Sequence, residues 1–370
     1  MLATAEQDEQ DFRVIRLAGR PIIAAPAGPL RLRLAGLGQY RAITKKRACL
    51  RAALRLCAIC GIDRLFARAR VSPFAPDDDF GFRRWLREMQ ITLGAPSSRA
   101  TVIWPQLVGR KRIYVHLLSP TGAPIAFCKI GLDAHNAGRL RTELDAVLQL
   151  GGRSMAVARV PRILHHVSTA NQCCIVYEPF PPNVLPLKRN WRALAPALAE
   201  ISGSVRDASR SEIGRCPWWR DFTQGSRRYS EEFLRQVDET LARPVAVCRV
   251  QGDATPSNVF RSPDGIWICD WEFSSPTGPR RTDELSYYLA ANHYQCLLRP
   301  AAALAACIRH FAAERDRDSI GELIMAMAFL CGRNEPRALE LASHWRWLTA
   351  EPTRQPDPAL GPAAAPYRLS

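Results

Sequence analysis

Apolar and polar positions along the chain change period several times. Residues 1–40 hold short extended stretches broken by Pro21, Pro26 and Pro29. From about residue 42 to 60 the spacing becomes helical: Leu50, Ala53, Leu54 and Cys57 form one stripe and Arg47, Arg51 and Arg55 recur on another face, with Gly61 placed to end the helix. From Thr101 the period is that of strands. Three are predicted, over 101–107, Arg112–Leu118 and 124–130, the last two joined by a turn carrying Pro120 and Gly122. A helix over about 137–150 follows, with Leu140, Leu144, Val147 and Leu148 on one stripe and Gly151 at its end. Cys173–Tyr177 reads as another strand. Beyond Pro181 and Pro182 the pattern is mostly helical to about residue 350, interrupted by a strand-rich centre at 244–270. The tail from Glu351, rich in proline and alanine, reads as disordered.

With 47% hydrophobic and 23% charged residues the chain can build a packed core, which excludes disorder as its main state. No apolar run approaches the roughly 18–20 residues that span a bilayer. The acidic start does not read as a secretion signal, so a soluble, cytoplasmic protein is expected. The 12 cysteines are scattered, several inside apolar runs, which suits buried thiols better than a disulfide framework. Cys57 and Cys60 have metal spacing but no second pair or nearby histidine.

Charge changes the picture at the N-terminal end. Residues 1–130 carry 22 Lys/Arg against 9 Asp/Glu, which is +13 of the net +16. Residues 30–70 hold eleven basic residues and one acid, Asp63. Two readings stand: a solvated basic face on a packed helix, or peripheral contact with an anionic membrane or a phosphorylated partner. No recognised nucleic-acid motif accompanies the basic stretch. Lysine is scarce, so Lys129 among apolar neighbours stands out.

The segment 245–272 carries the candidate chemistry. A β-type run ends in a polar loop, the chain turns through Ser262-Pro263-Asp264-Gly265, and a second strand ends at Asp270. Asp253, Asn258 and Asp270 can then converge at one end of a small sheet. Their oxygens suit a hard cation such as Mg²⁺ and leave one carboxylate to face a substrate hydroxyl, which is equipment for moving a phosphoryl group. Glu143 lies beside the buried stripe of its helix, where an unpaired carboxylate is costly, and Lys129 is its natural partner. Arg139 and solvent are the alternatives. A strand lysine held by a helix glutamate is the nucleotide-clamping pair of kinases.

With these residues in view, about residues 100–340 resemble the aminoglycoside phosphotransferase and choline kinase family of protein-kinase-like enzymes. The family's His-Gly-Asp-x-x-x-x-Asn stands here as Gln251-Gly252-Asp253 and, five residues on, Asn258; its metal motif stands as Ile268-Cys269-Asp270-Trp271-Glu272. The resemblance implies Asp253 as catalytic base, Asn258 and Asp270 as Mg²⁺ ligands, and Lys129 with Glu143 at the phosphates of ATP. It also implies a hinge for adenine at Tyr177, Glu178 and Phe180, and a structural role for Asp283. The fold it implies is a two-lobed α+β kinase-like one: a basic N-terminal extension over 1–95, a β-rich lobe over 96–180, a helical lobe over 181–350, and the tail.

Two departures bear on activity. Gln251 replaces the histidine that organises the loop, although an amide still donates and accepts. The stretch 108–112 has one glycine and three cations, and Arg110, Lys111 and Arg112 read as surface charge rather than phosphate contacts. These departures leave a noncatalytic nucleotide-binding regulator as the alternative. The charge-balanced C-terminal region argues against a cationic acceptor and for a sugar or other polyol, lipid-linked if the basic helix meets a membrane. Trp218, Trp219, Trp345 and Trp347 lie where the family builds its acceptor site, and they either stack on the acceptor or pack in the core.

Overall fold

The structure is a computed structural model that describes residues 10–39, 45–70, 81–105, 111–181, 184–187, 191–312 and 317–345. The chain divides into two compact units, one of Met1–Ser202 with Gln251–Pro276, the other of Gly203–Val250 with Thr277–Ser370. Residues 108–110 of the expected phosphate stretch, Trp347 and the tail lie outside the described residues.

The chain runs through β1 (Asp11–Leu17), β2 (Arg20–Pro26), α1 (Leu30–Gly38), α2 (Lys45–Ile59), β3 (Ala67–Arg70), α3 (Phe82–Thr92), β4 (Arg99–Ile103), β5 (Arg112–Leu118) and β6 (Pro124–Gly131). It continues through α4 (Ala134–Gly151), β7 (Ala158–Arg159), β8 (Ile163–Ser168), β9 (Cys173–Tyr177), β10 (Leu185–Pro186) and α5 (Trp191–Ser202). One eight-stranded sheet has the order β3-β1-β2-β4-β5-β6-β9-β8. Residues 1–95 are therefore no separate appendage: β1, β2 and β3 continue the sheet that the resemblance starts at β4.

Strand parity sorts the two faces of this sheet. Ile113, Val115 and Leu117 of β5 and Ala126, Cys128 and Ile130 of β6 share a buried cluster with Phe82, Trp85, Leu86 and Met89 of α3. The intervening residues turn to the other face, where Tyr114 and Lys129 are register partners. α4, lying between β6 and the last strand pair, is capped by Asp133, whose side chain accepts the Asn136 backbone N–H at 2.7 Å.

The second unit begins with β11 (Arg206–Ala208), α6 (Arg210–Gly214), α7 (Pro217–Gln224), α8 (Glu231–Thr240) and β12 (Val245–Val250). In the first unit β13 (Val259–Ser262) and β14 (Gly265–Ile268) form the expected hairpin, with Ser262 opposite Gly265, inside a sheet of order β10-β13-β14-β7. The last described elements are β15 (Ser275–Pro279), α9 (Thr282–Ala291), α10 (His293–Leu298), α11 (Pro300–Phe311), α12 (Arg317–Gly332) and α13 (Pro336–Ser343). α12 is the centre of the helical unit: every residue from 323 to 331 is buried, the behaviour of a helix apolar on all sides.

Trp218 and Trp345 belong to this core, their indole N–H groups donating to the Thr277 carbonyl at 3.0 Å and to Gln236 at 2.7 Å. Trp219 packs against the same cluster, so these three rings pack in the core rather than wait for an acceptor. Asp283 is buried in the first turn of α9. Of the 12 cysteines, all free, eight are buried, as expected. The fold is of the α+β class, with an antiparallel eight-stranded sheet and α4 inserted between β6 and the β8–β9 pair.

Candidate active site

Parity turns Lys129 away from the α3 cluster, and the stripe of α4 carries Glu143 inward to 2% exposure. The Lys129 ammonium donates to both carboxylate oxygens of Glu143 at 2.8 and 3.0 Å and to Asp270 Oδ1 at 2.7 Å. The Tyr177 hydroxyl donates to Glu143 Oε1 at 2.9 Å. Arg139, the other candidate partner of Glu143, instead approaches His135 Nε2 at 3.2 Å and sits 4.4 Å from the centre of the Phe273 ring.

Burial pulls the Lys129 ammonium down, but Asp270 and Glu143 more than reverse it, so the cation is held above its ordinary value. Burial is the larger force on Glu143 and holds its carboxyl above the usual carboxylate range. Lys129 opposes that shift, and Asp270 adds to it. Burial, then the neighbouring Glu143, pushes the Tyr177 phenol well up, so it remains a donor. The cluster is one cation shared between two carboxylates, steadied by a phenol.

The second half of the site joins two loops. Asn258 donates from its amide to Asp253 Oδ2 at 2.9 Å and to the Asp253 carbonyl at 3.0 Å. Gln251, fully buried, donates from Nε2 to the carbonyls of Cys269 at 3.1 Å and Asp270 at 2.6 Å, while its Oε1 accepts the Asp253 N–H at 2.8 Å. The glutamine is thus the clamp between the loop of Asp253 and the turn of Asp270. Asp270 itself has φ +65°, a left-handed conformation that aspartate tolerates better than most residues. Trp271, with no exposed surface, anchors this turn and donates to the Ile268 carbonyl at 3.0 Å. Gly252, at φ +82°, leaves no room for a Cβ, which would fall against the Phe273 carbonyl oxygen well inside contact distance.

Gln251→Glu is expected to unclamp the two loops, because a carboxylate would face two carbonyl oxygens it cannot bond. With the amide's bonds to both carbonyls removed, the loss is about 2–3 kcal/mol. A urea midpoint equal to the wild type would refute the clamp.

Arg112 corrects one expectation. It is not surface charge: its guanidinium Nη1 lies 2.6 Å from Glu272 Oε2, with both side chains 1% exposed, and its Nε donates to Asn136 Oδ1 at 3.2 Å. Burial would lower the arginine's value, and Glu272 raises it well past the ordinary one. Lys111, next to it, is exposed as expected. The pair ties the Asp270 turn to the start of β5 and to α4, and nothing in the spacing of residues 112 and 272 announces it. Glu272→Gln keeps the shape but removes the counter-charge; the expected loss is about 1–3 kcal/mol in a denaturant titration.

The structure thus gathers Lys129, Glu143, Tyr177 and Asp270 in direct contact, and ties Asp253 and Asn258 to them through Gln251. Tyr177 takes part through its hydroxyl. Glu178 and Phe180 stand apart from this cluster: Glu178 pairs with Arg162 at 2.9 Å, and Phe180 packs against Phe260 and Trp267 with ring centres 5.7 and 5.8 Å away.

Among the described residues no three His, Cys, Asp or Glu side chains form a metal cluster. The oxygen donors of Asp270 and Asn258 still fit Mg²⁺, which takes one or two protein ligands and completes its shell from phosphates and water. Asn258 directs its amide nitrogen to Asp253, leaving its carbonyl oxygen for a cation.

No protein-family model matches this chain, and no curated protein matches it. Similar solved structures include an aminoglycoside-3'-phosphotransferase of type VIII, at 17% identity and TM-score 0.42, covering 66% of this chain and 97% of that one. A choline/ethanolamine kinase family protein from Mesorhizobium loti has 15% identity and TM-score 0.37, covering 70% of this chain and 87% of that one. A glucosamine kinase in complex with glucosamine, ADP and inorganic phosphate has 12% identity and TM-score 0.34, covering 67% of this chain and 78% of that one.

Proposed function

We propose that this chain is an ATP-dependent phosphotransferase that moves the terminal phosphate of ATP to a hydroxyl of a small molecule. The observation that carries the reading is Lys129 held at once by Glu143 and Asp270, with Asp253 and Asn258 clamped to the same turn. Lys129 offsets charge on the nucleotide phosphates, and Glu143 with Tyr177 fixes where that charge stands. Asp253 accepts or orients the proton of the acceptor hydroxyl. Mg²⁺, held by Asp270 and Asn258, would supply neutralisation of phosphate oxygens. Backbone of 177–180 is the proposed adenine hinge. Gln251 departs from the family motif yet joins the two loops, which favours catalysis over a noncatalytic regulator.

The acceptor we infer is a sugar or other polyol. Residues 271–370 carry 11 basic against 11 acidic residues, which offers little to a polycation. The cationic stretch 30–70 supports action at the inner face of a membrane, on a lipid-linked form of such an acceptor. ATP labelled at its terminal phosphate, offered with Mg²⁺ and separate metabolite and lipid extracts, tests this. Label is expected to enter an extract component, and the fraction it enters distinguishes free from lipid-linked acceptor. Nucleotide binding without transfer to any acceptor class would overturn the reading in favour of a regulator.

A further inference from the structure

The outward face of α2 is apolar. Its inner face is set by packing: Leu54 and Ala58, 5% and 0% exposed, are buried with Ile15, Ile22 and Ile23 of the β1–β2 hairpin, and Leu50 packs at the edge of that cluster. At about 100° per residue, beyond the first turn, whose Lys45 also lies on this side, the positions opposite Leu54 are Cys49, Ala52, Leu56 and Ile59. All four are exposed, Leu56 at 60% and Ile59 at 58%, and Ile62 just beyond the helix is 49% exposed. Arg55, exposed, and Arg51, half-buried, run along one flank. A surface helix ordinarily turns its charge away from the core. From Cys49 onward, the arginines take the flank and apolar side chains take the place opposite the core.

The charge around this face selects its occupant. The eleven basic residues of 30–70 face one acid, and that acid, Asp63, is buried and bonded to Arg33. A second copy of the chain offers no net acidic segment beyond residue 130, since residues 131–270 carry 18 basic against 15 acidic residues and 271–370 are balanced. Pairing α2 with itself would set cations against cations. A nucleic acid would meet the cations but has no use for Leu56, Ile59 and Ile62, and the face carries no aromatic ring on which a base could stack. An anionic lipid interface satisfies both features at once: apolar side chains enter the boundary between headgroups and acyl chains while flanking arginines meet lipid phosphates. No described helix is long and apolar enough to cross a membrane, so the contact is peripheral.

We propose that α2 docks this chain on an anionic membrane surface, with Leu56, Ile59 and Ile62 entering the interface and Arg51 and Arg55 contacting lipid phosphates. This docking needs no nucleotide, so it stands or falls separately from phosphoryl transfer.

Co-sedimentation of the full chain, without ATP, on phosphatidylcholine vesicles with and without a minority of phosphatidylserine tests it. The wild type is expected to bind the anionic vesicles, and to release in high salt. Leu56→Gln with Ile59→Gln is expected to weaken binding at least about tenfold. Arg51→Gln with Arg55→Gln is expected to weaken it about 25-fold, each cation near an anionic surface contributing roughly fivefold. Arg83→Gln with Arg87→Gln, on the exposed face of α3, is expected to leave binding unchanged. Thermal melting of each variant confirms that these surface changes leave the fold intact. Equal binding to neutral vesicles, no binding to anionic ones, or binding that survives the Leu56/Ile59 change would overturn the proposal. So would retention on duplex DNA abolished by the same change, which assigns the face to a polyanion, or a concentration-dependent dimer that it dissolves, which assigns it to a second copy.

Discussion

Asp253→Asn is expected to lower phosphoryl transfer about 10²–10⁴-fold while nucleotide binding persists. The substitution is nearly isosteric, and the structure shows why it can leave the loop in place. Asn258 donates its amide to Asp253 Oδ2 at 2.9 Å, and an asparagine at 253 can present its own carbonyl oxygen to that donor. The backbone N–H of residue 253 keeps its bond to Gln251 Oε1, because the side chain takes no part in it. Only the ability to take a proton from a hydroxyl is lost. Single-turnover transfer from labelled ATP, beside equilibrium binding of a nonhydrolysable ATP analogue, separates the two effects. Transfer within about tenfold of the wild type would remove Asp253 from the role of base and with it the mechanism.

Lys129→Met is expected to abolish transfer and also to destabilise the fold, by about 3–5 kcal/mol at neutral pH. The methionine fills the space of the lysine stem, but Glu143 and Asp270 are then left facing each other with no cation between them. Glu143 has little recourse to water at 2% exposure. Its carboxyl is already held above the ordinary range by burial, against the pull of Lys129. Removing that pull raises it further. The sign follows: a carboxyl that holds its proton more tightly folded than unfolded contributes least as pH rises above the ordinary carboxylate value. The variant should therefore recover part of its stability on mild acidification, and Lys129→Met with Glu143→Leu should recover more than half at neutral pH, since a hydrophobic pair replaces a broken ion pair. Urea titrations of wild type, single and double variants at neutral and mildly acidic pH decide it. Equal losses at both pH values would mean that Glu143 does not sense Lys129.

Much of this site could be read from the chain because its parts are local. A strand over 124–130 sends successive side chains to opposite faces, and that parity puts Lys129 on the face opposite Ala126, Cys128 and Ile130. The period of α4 puts Glu143 on its buried side, and a buried glutamate fourteen positions from a buried lysine asks for the pair that the structure contains. The Ser262–Gly265 turn fixes a two-stranded register and so the distance from Asn258 to Asp270. Each of these rests on backbone geometry repeated every two or 3.6 residues, which sequence displays directly.

Other contacts depend on chain segments far apart, and no local pattern encodes them. Arg112 and Glu272 meet inside the protein 160 positions apart, and either one alone looks like a surface charge. The Tyr177 hydroxyl reaches Glu143 from a position expected at the adenine hinge. Gln251 was visible as a departure from the motif, but its bonds to Cys269 and Asp270 depend on how two loops fold against each other. The tryptophans show the reverse case: their rings suited an acceptor site, and packing around α12 took Trp218 and Trp345 into the core.

Local pattern is enough for the strands and helix that carry Lys129 and Glu143, for the hairpin that spaces Asn258 from Asp270, and for the concentration of positive charge before residue 130. Long-range packing, and not local pattern, makes β1, β2 and β3 extend the sheet that carries Lys129, Arg112 a buried counter-ion, and the outward side of α2 apolar. The physical reason is one of range. Periodicity tells which face of an element is apolar, whereas burial is settled by which distant segment arrives to cover it. α2 has two apolar faces, and the β1–β2 hairpin covers one of them.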